Sequence, residues 1–129
     1  MIIKPNLKQI LLADDDELCL KILTEYLKEA GYNFIACKNG QLAWTYLRAD
    51  PDKFFVVLSD RVMPNLHGLQ LLTQMKEKGL NIPLVLFSGE ANKEERCHAI
   101  AQGVYDFLYK PISKELLLSL LKKIEKQLT

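Results

Sequence analysis

The chain has 129 residues, 49% of them hydrophobic and 26% charged, which suits one ordinary globular domain over residues 1–129 with a single core. Seventeen basic against sixteen acidic residues leave a formal net charge of +1, so nothing draws the chain as a whole to nucleic acid or to an anionic membrane surface, and function must sit in local charge. The opening MIIKPNLKQ lacks a signal peptide's apolar stretch, and no apolar run approaches the ~18 residues needed to cross a bilayer, so a soluble, cytoplasmic chain is expected.

The first apolar run, KQILLA (8–13), reads as a strand and breaks at once into Asp14, Asp15, Asp16 and Glu17. Two carboxylates ~4 Å apart repel by about 4 kcal/mol at an effective dielectric of ~20, so such a cluster calls for water or a cation to offset it. A helical stripe follows, with Leu18, Ile22, Leu23, Tyr26, Leu27 and Ala30 on one broad face and Gly31 as the stop. YNFIAC (32–37) is the second strand, and Leu42, Ala43, Tyr46 and Leu47 mark a second helix ended by Pro51. FFVVLS (54–59) and LVLFS (84–88) are nearly continuous in Val, Leu and Phe, as parallel strands covered on both faces should be. Leu71, Leu72 and Met75 define the helix between them. Asn92, with Glu95 three residues on, caps a fourth helix closed by Gly103, and YDFLYK (105–110) is the fifth strand. Ser113 caps a last helix whose stripe runs through Leu116, Leu117, Leu120, Leu121, Ile124 and Leu128.

Five strands alternating with five helices predict a (βα)₅ α/β fold, a parallel sheet with helices on both faces joined by right-handed crossovers. In such sheets the functional crevice lies beyond the carboxyl ends of the strands. The residues there are Asp14, Asp15 and Asp16, then Asn39, Asp60, Ser88 and Lys110. Taken singly each has an ordinary use: Asp16 as a helix cap, Asp60 and Ser88 in turns, Lys110 as a solvated strand end. Their convergence on one crevice, as carboxylates, a hydroxyl and an ammonium group, points instead to Mg²⁺ and phosphate chemistry, because a hard cation takes carboxylate oxygens and keeps room for phosphate oxygens.

With ILLADDD, VVLSDRVMPNLHG, IPLVLFSGE and GVYDFLYKP in this order, and with Pro64 and Gly68 four and eight residues after Asp60, the chain resembles a response-regulator receiver domain of bacterial two-component signalling over essentially its whole length. The resemblance implies the flavodoxin-like strand order 2-1-3-4-5, for which a member of this family is a standing example. It implies that Asp60 accepts a phosphoryl group from a sensor histidine kinase or a histidine phosphotransfer protein. Mg²⁺ would be held by Asp15 and Asp60 directly, by the Val62 backbone carbonyl, and by Asp14 through water. Lys110 would pair with a phosphoryl oxygen, and Ser88 would donate a hydrogen bond to one. Ser88 and Phe107 would form the switch that remodels the face of fourth helix, fifth strand and fifth helix, through which two copies can pair. Val62 and Glu90, each two residues beyond a site residue, would tune the lifetime of the acyl phosphate. The resemblance implies a regulatory acceptor that assists its own phosphorylation and dephosphorylation, not an enzyme acting on others, and one that binds neither nucleic acid nor membrane.

This chain departs from the pattern at His67, a position often acidic, and at Gly89, where alanine is more usual; Ser88 is a permitted variant of threonine. Two rival readings stand beside the acceptor: a phosphatase or phosphotransferase using an aspartyl-phosphate, which needs a larger substrate pocket or cap, and a degenerate receiver acting as an unphosphorylated adaptor, which is expected to lack the acidic pair, Asp60 or Lys110, all present here. His67 and His98 lack ligand partners at metal spacing and read as surface or helix residues. Cys19, Cys37 and Cys97 are odd in number and widely spaced, which argues against disulfides and zinc and makes core thiols of them.

Overall fold

Apolar strand runs need cover on both faces, and the helices supply it. The computed structural model describes residues 8–127. Its elements are β1 (Gln9–Ala13), α1 (Glu17–Glu29), β2 (Phe34–Cys37), α2 (Gly40–Ala49), β3 (Phe54–Asp60), α3 (Gly68–Glu77), β4 (Leu84–Ser88), α4 (Lys93–Gln102), β5 (Asp106–Tyr109) and α5 (Lys114–Lys126), with a short 3₁₀ turn at Pro51–Lys53. The strands are all parallel in the order β2-β1-β3-β4-β5, as predicted. β3, the longest, is buried throughout and carries Asp60 as its last residue rather than the first residue beyond it.

Alternation along the strands feeds two apolar layers. Leu11, Val57, Leu86 and Phe107 pack with Trp44, Leu71, Met75 and Ala99, so α2, α3 and α4 cover one face. Ile10, Leu12, Leu58, Phe87 and Leu108 pack with Leu23, Leu27, Leu117, Leu121 and Ile124, so α1 and α5 cover the other. Four of the five helix starts, those of α1, α2, α4 and α5, are fixed by a side-chain oxygen that accepts otherwise unpaired N–H groups. Asp16 Oδ1 accepts from Leu18 and Cys19, Asn39 from Leu42, Asn92 from Glu95, and Ser113 from Leu116. Asp16 is thus a cap.

Three expectations are corrected. The helical stripes are wider than what is buried: Leu18 is 67% exposed and Leu116 55%, with Ile22, Leu42 and Tyr46 also on the surface. Each helix rests on the sheet along a narrow line, and residues one turn from that line reach solvent. Cys97 is exposed on α4 and Cys19 half-buried, leaving Cys37 as the core thiol. β2 begins at Phe34 rather than residue 32, because Tyr32 swings its hydroxyl to Glu125 and the first pairing carbonyl is that of Asn33, which accepts from Ile10. Leu128 lies outside the described residues.

Two close approaches lock the segment after β3. A Cβ on Gly40 would overlap the Leu66 carbonyl, and one on Gly68 would stand 2.5 Å from Leu86 Cδ2 and 2.9 Å from the Asp60 carbonyl oxygen. Only glycine lets α2 and α3 come this near to the backbone around Asp60.

Candidate functional site

β1, β3 and β5 deliver Asp14, Asp60 and Lys110 to one end of the sheet. Asp14 is buried and Asp15 exposed, and carboxylate oxygens of Asp14, Asp15 and Asp60 lie within 4.8 Å of one another. Lys110 Nζ stands between two of them, 3.1 Å from Asp14 Oδ2 and 3.3 Å from Asp60 Oδ2, to which it donates a hydrogen bond. Asp14 Oδ1 accepts from the Asp16 N–H at 2.9 Å. Asp14 Oδ2 meets Lys110 only as an ion pair and is left buried with no hydrogen-bond partner.

The charge balance follows from these positions. Burial raises the Asp60 carboxyl to about 6, the nearby Asp14 charge adds to the rise, and Lys110 opposes it. Burial disfavours the Lys110 ammonium, but contact with Asp14 and the charges of both aspartates outweigh it and hold its pKa above the ordinary value. Beside them the Cys19 thiol is pushed up to about 12 by burial and by Asp14, so it is a neutral wall of the site and not a nucleophile.

Do these residues fit Mg²⁺? The donors are hard oxygens, and one buried oxygen awaits a partner. Two ligands at ~2.1 Å from one Mg²⁺ lie at most about 4.2 Å apart, so small side-chain rotations suffice to gather the three carboxylates. The set fits.

Ser88, the last residue of β4, is buried and places its hydroxyl where it accepts from Glu90 N–H at 3.2 Å and from Arg61 Nε at 3.4 Å. Phe107 is buried against α4's side of the sheet, its ring 5.4 Å from that of exposed Tyr109. Val62 is 52% exposed, and Glu90 is exposed on the loop after β4. His67 starts α3, with Nδ1 accepting from the Met63 N–H at 3.2 Å, so it shapes the loop after Asp60 besides facing solvent. Arg61 is not singled out by the sequence pattern; its guanidinium joins Ser88 to Glu95, and a cation directly after Asp60 was the available signal.

Comparison with known proteins agrees with this geometry. The model of the response regulator receiver domain matches residues 10–122. The chain belongs to that family. It is 40% identical over 116 residues to the 3',5'-cyclic-nucleotide phosphodiesterase regA of Dictyostelium discoideum, covering 88% of this chain and 15% of that protein. To the two-component response regulator ARR14 of Arabidopsis thaliana it is 35% identical, covering 86% of this chain and 29% of the relative. The chain therefore spans less than a third of either relative. In fold it is similar to the receiver domain of the Francisella response regulator 1452, with a TM-score of 0.85 at 24% identity over 95% of this chain and 99% of that one. Borrelia burgdorferi CheY, solved in a complex with CheX, BeF₃ and Mg, gives a TM-score of 0.83 at 21% identity over 91% and 88%. Receiver domains are regulatory modules of two-component systems. Among the described residues, no helix is long and apolar enough to cross a membrane.

Proposed function

We propose that this chain is a phospho-acceptor module: Asp60 takes a phosphoryl group from a phosphohistidine on a histidine kinase or histidine phosphotransfer protein, in the cytoplasm. The observation that carries the reading is the gathering of Asp14, Asp15, Asp60 and Lys110 at adjoining strand ends, at a cost in repulsion and burial that a purely structural site has no reason to bear. A carboxylate oxygen of Asp60 forms the bond to phosphorus as the bond to the imidazole nitrogen breaks, and the imidazole leaves with a proton. A carboxyl raised to about 6 is ionised at neutral pH and more nucleophilic than an ordinary aspartate. Lys110 stands beside it to pair with the incoming oxygens. Asp14, Asp15, Asp60 and the Val62 carbonyl would hold Mg²⁺, which when bound neutralises charge between acceptor and phosphoryl oxygens.

On this reading Ser88 donates its O–H to the phosphoryl group, Phe107 follows, and the face of α4, β5 and α5 changes shape, which also gives two copies a surface for pairing. Val62 and Glu90, exposed beside Asp60 and Ser88, set the rate at which water reaches the acyl phosphate. The donor approaches over the groove of about 350 Å³ between α1 and Lys110–Ile112, where apolar Leu18 and Ile22 lie in the open next to Lys110. Incubation with acetyl phosphate and Mg²⁺ followed by intact-mass measurement tests the reading. One phosphoryl adduct on the wild type and none on Asp60→Asn is expected; no adduct on the wild type leaves the adaptor, and an adduct surviving in Asp60→Asn puts the acceptor elsewhere.

A further inference from the structure

Arg61 occupies an unusual junction. Its backbone is clamped, the N–H donating to the Phe87 carbonyl at 2.8 Å and the carbonyl accepting from Gly68 N–H at 3.1 Å. Its side chain is not. Nε donates to Ser88 Oγ at 3.4 Å while Nη1 pairs with Glu95 Oε2, in the first turn of α4, at 2.9 Å. The pair is 27% and 40% exposed, so solvent screens it and it is easily exchanged. Ser88 Oγ, already accepting from Glu90 and Arg61, has both lone pairs in use. What remains to it is its own hydrogen, which is what a phosphoryl oxygen needs.

The far end of this bridge is the helix least able to resist. Ala99 is the one buried residue of α4. Two cations supply polar ties instead: Arg61 on Glu95 in the first turn, and Lys76 of α3 donating to the Gln102 carbonyl in the last. A guanidinium is planar and rigid, so Nε cannot follow a moving Ser88 while Nη1 keeps its aim at Glu95. An arriving phosphoryl group, more negative than one carboxylate, also competes for the same cation.

We infer that Arg61 is a positioning residue that couples the acceptor site to α4: it orients the Ser88 hydroxyl as a donor and holds α4 through Glu95 until a phosphoryl group on Asp60 draws Ser88 away and releases the helix. This coupling rests on the phospho-acceptor reading and adds to it a specific route.

The test is a cycle of four proteins, the wild type, Arg61→Gln, Glu95→Gln and the double variant. Hydrogen exchange of residues 93–102 is followed by mass spectrometry in the unmodified state and with beryllofluoride plus Mg²⁺. In the unmodified state each single change speeds α4 exchange about two- to fivefold and the double variant adds nothing further, as for one screened ion pair. With beryllofluoride all four converge. Glu95→Gln, remote from the acceptor carboxylate, retains its adduct from acetyl phosphate at the wild-type rate. Single variants that match the wild type in the unmodified state overturn the coupling, and so do differences that persist unchanged with beryllofluoride, which would mark a merely structural ion pair. A wild type that takes no adduct overturns the acceptor reading itself, a failure told apart by mass alone.

Discussion

α4 and α5 flank the same strand, β5, and are held to it in opposite ways. α5 buries Leu117, Leu120, Leu121 and Ile124 and adds ties to α1 and to the connection after it, Lys114 to Glu29 at 2.5 Å and Tyr32 to Glu125. α4 buries Ala99 and relies on Arg61 and Lys76. Apolar burial stabilises in proportion to area, at about 25 cal/mol per Å², and no change of charge nearby releases it. Exposed ion pairs contribute about 0–1 kcal/mol and are exchanged by any stronger partner. On the phospho-acceptor reading, a fold that passes a charge event to its surface keeps its apolar anchoring in one helix and withholds it from the other.

The contrast is broken most directly by truncation. Leu121→Ala is expected to cost about 3 kcal/mol in urea melts and Ile100→Ala on α4 less than about 0.5. Similar costs would mean α4 is anchored as firmly as α5.

The carboxyl edge that α4 leans on should itself be a weak point without Mg²⁺. Asp60 has its folded pKa raised from 3.8 to about 6, so its contribution is fully present below the unfolded value and is lost as pH rises through about 6. At about 1.4 kcal/mol per unit this shift caps the effect near 3 kcal/mol, and losing the Lys110 partner reduces what Asp60→Asn recovers to on the order of 1–2 kcal/mol at pH 7.5. Urea melts from pH 4 to 7.5 check the sign: wild-type stability should decline relative to Asp60→Asn across this range. Parallel curves would remove the strain from the site. Mg²⁺ should relieve it, stabilising the wild type by about 1.4 kcal/mol at ten times its Kd, while Asp15→Ala loses most of that gain. Calorimetric titration of both proteins measures the same loss directly, and an unchanged affinity in Asp15→Ala would move the cation elsewhere.

The smallest effects concern signal lifetime and bear on whether the site or α4 sets the duration of the active state. Val62→Asn is expected to shorten the acyl phosphate lifetime several-fold by admitting a hydrogen-bonded water, and Glu90→Ala to lengthen it, on the order of 1 kcal/mol in barrier height. Decay of the phosphoryl mass over time reports both; a Val62→Asn lifetime equal to the wild type's would take Val62 out of the water's path.

The alternation of strands and helices and the crevice were legible because β3 and β4 are apolar without interruption and the acids fall directly at strand ends, a pattern local in the chain, while the strand order came only with the resemblance to receiver domains. What stayed hidden depends on neighbours distant in sequence. Arg61 looks like any turn cation until folding brings Ser88, 27 residues on, within reach. Cys97 seemed a core thiol by residue type, yet on α4 only the Ala99 position meets the sheet. Leu18 and Ile22 satisfy the helical period but stand beside an open groove, which no periodicity reveals.

The glycines around Asp60 set the terms on which this sequence can drift. A side chain at 40 collides with the Leu66 carbonyl and one at 68 with Leu86 Cδ2 and the Asp60 carbonyl, so neither position admits a second residue without a shift in its neighbours. Gly89, beside Ser88, has open space around its missing Cβ and takes no positive φ, so alanine there meets no obstacle. Variation is thus closed off around Asp60 and left free beside Ser88, and on the phospho-acceptor reading the tempo of the switch can be retuned at 89 without disturbing the chemistry at 60.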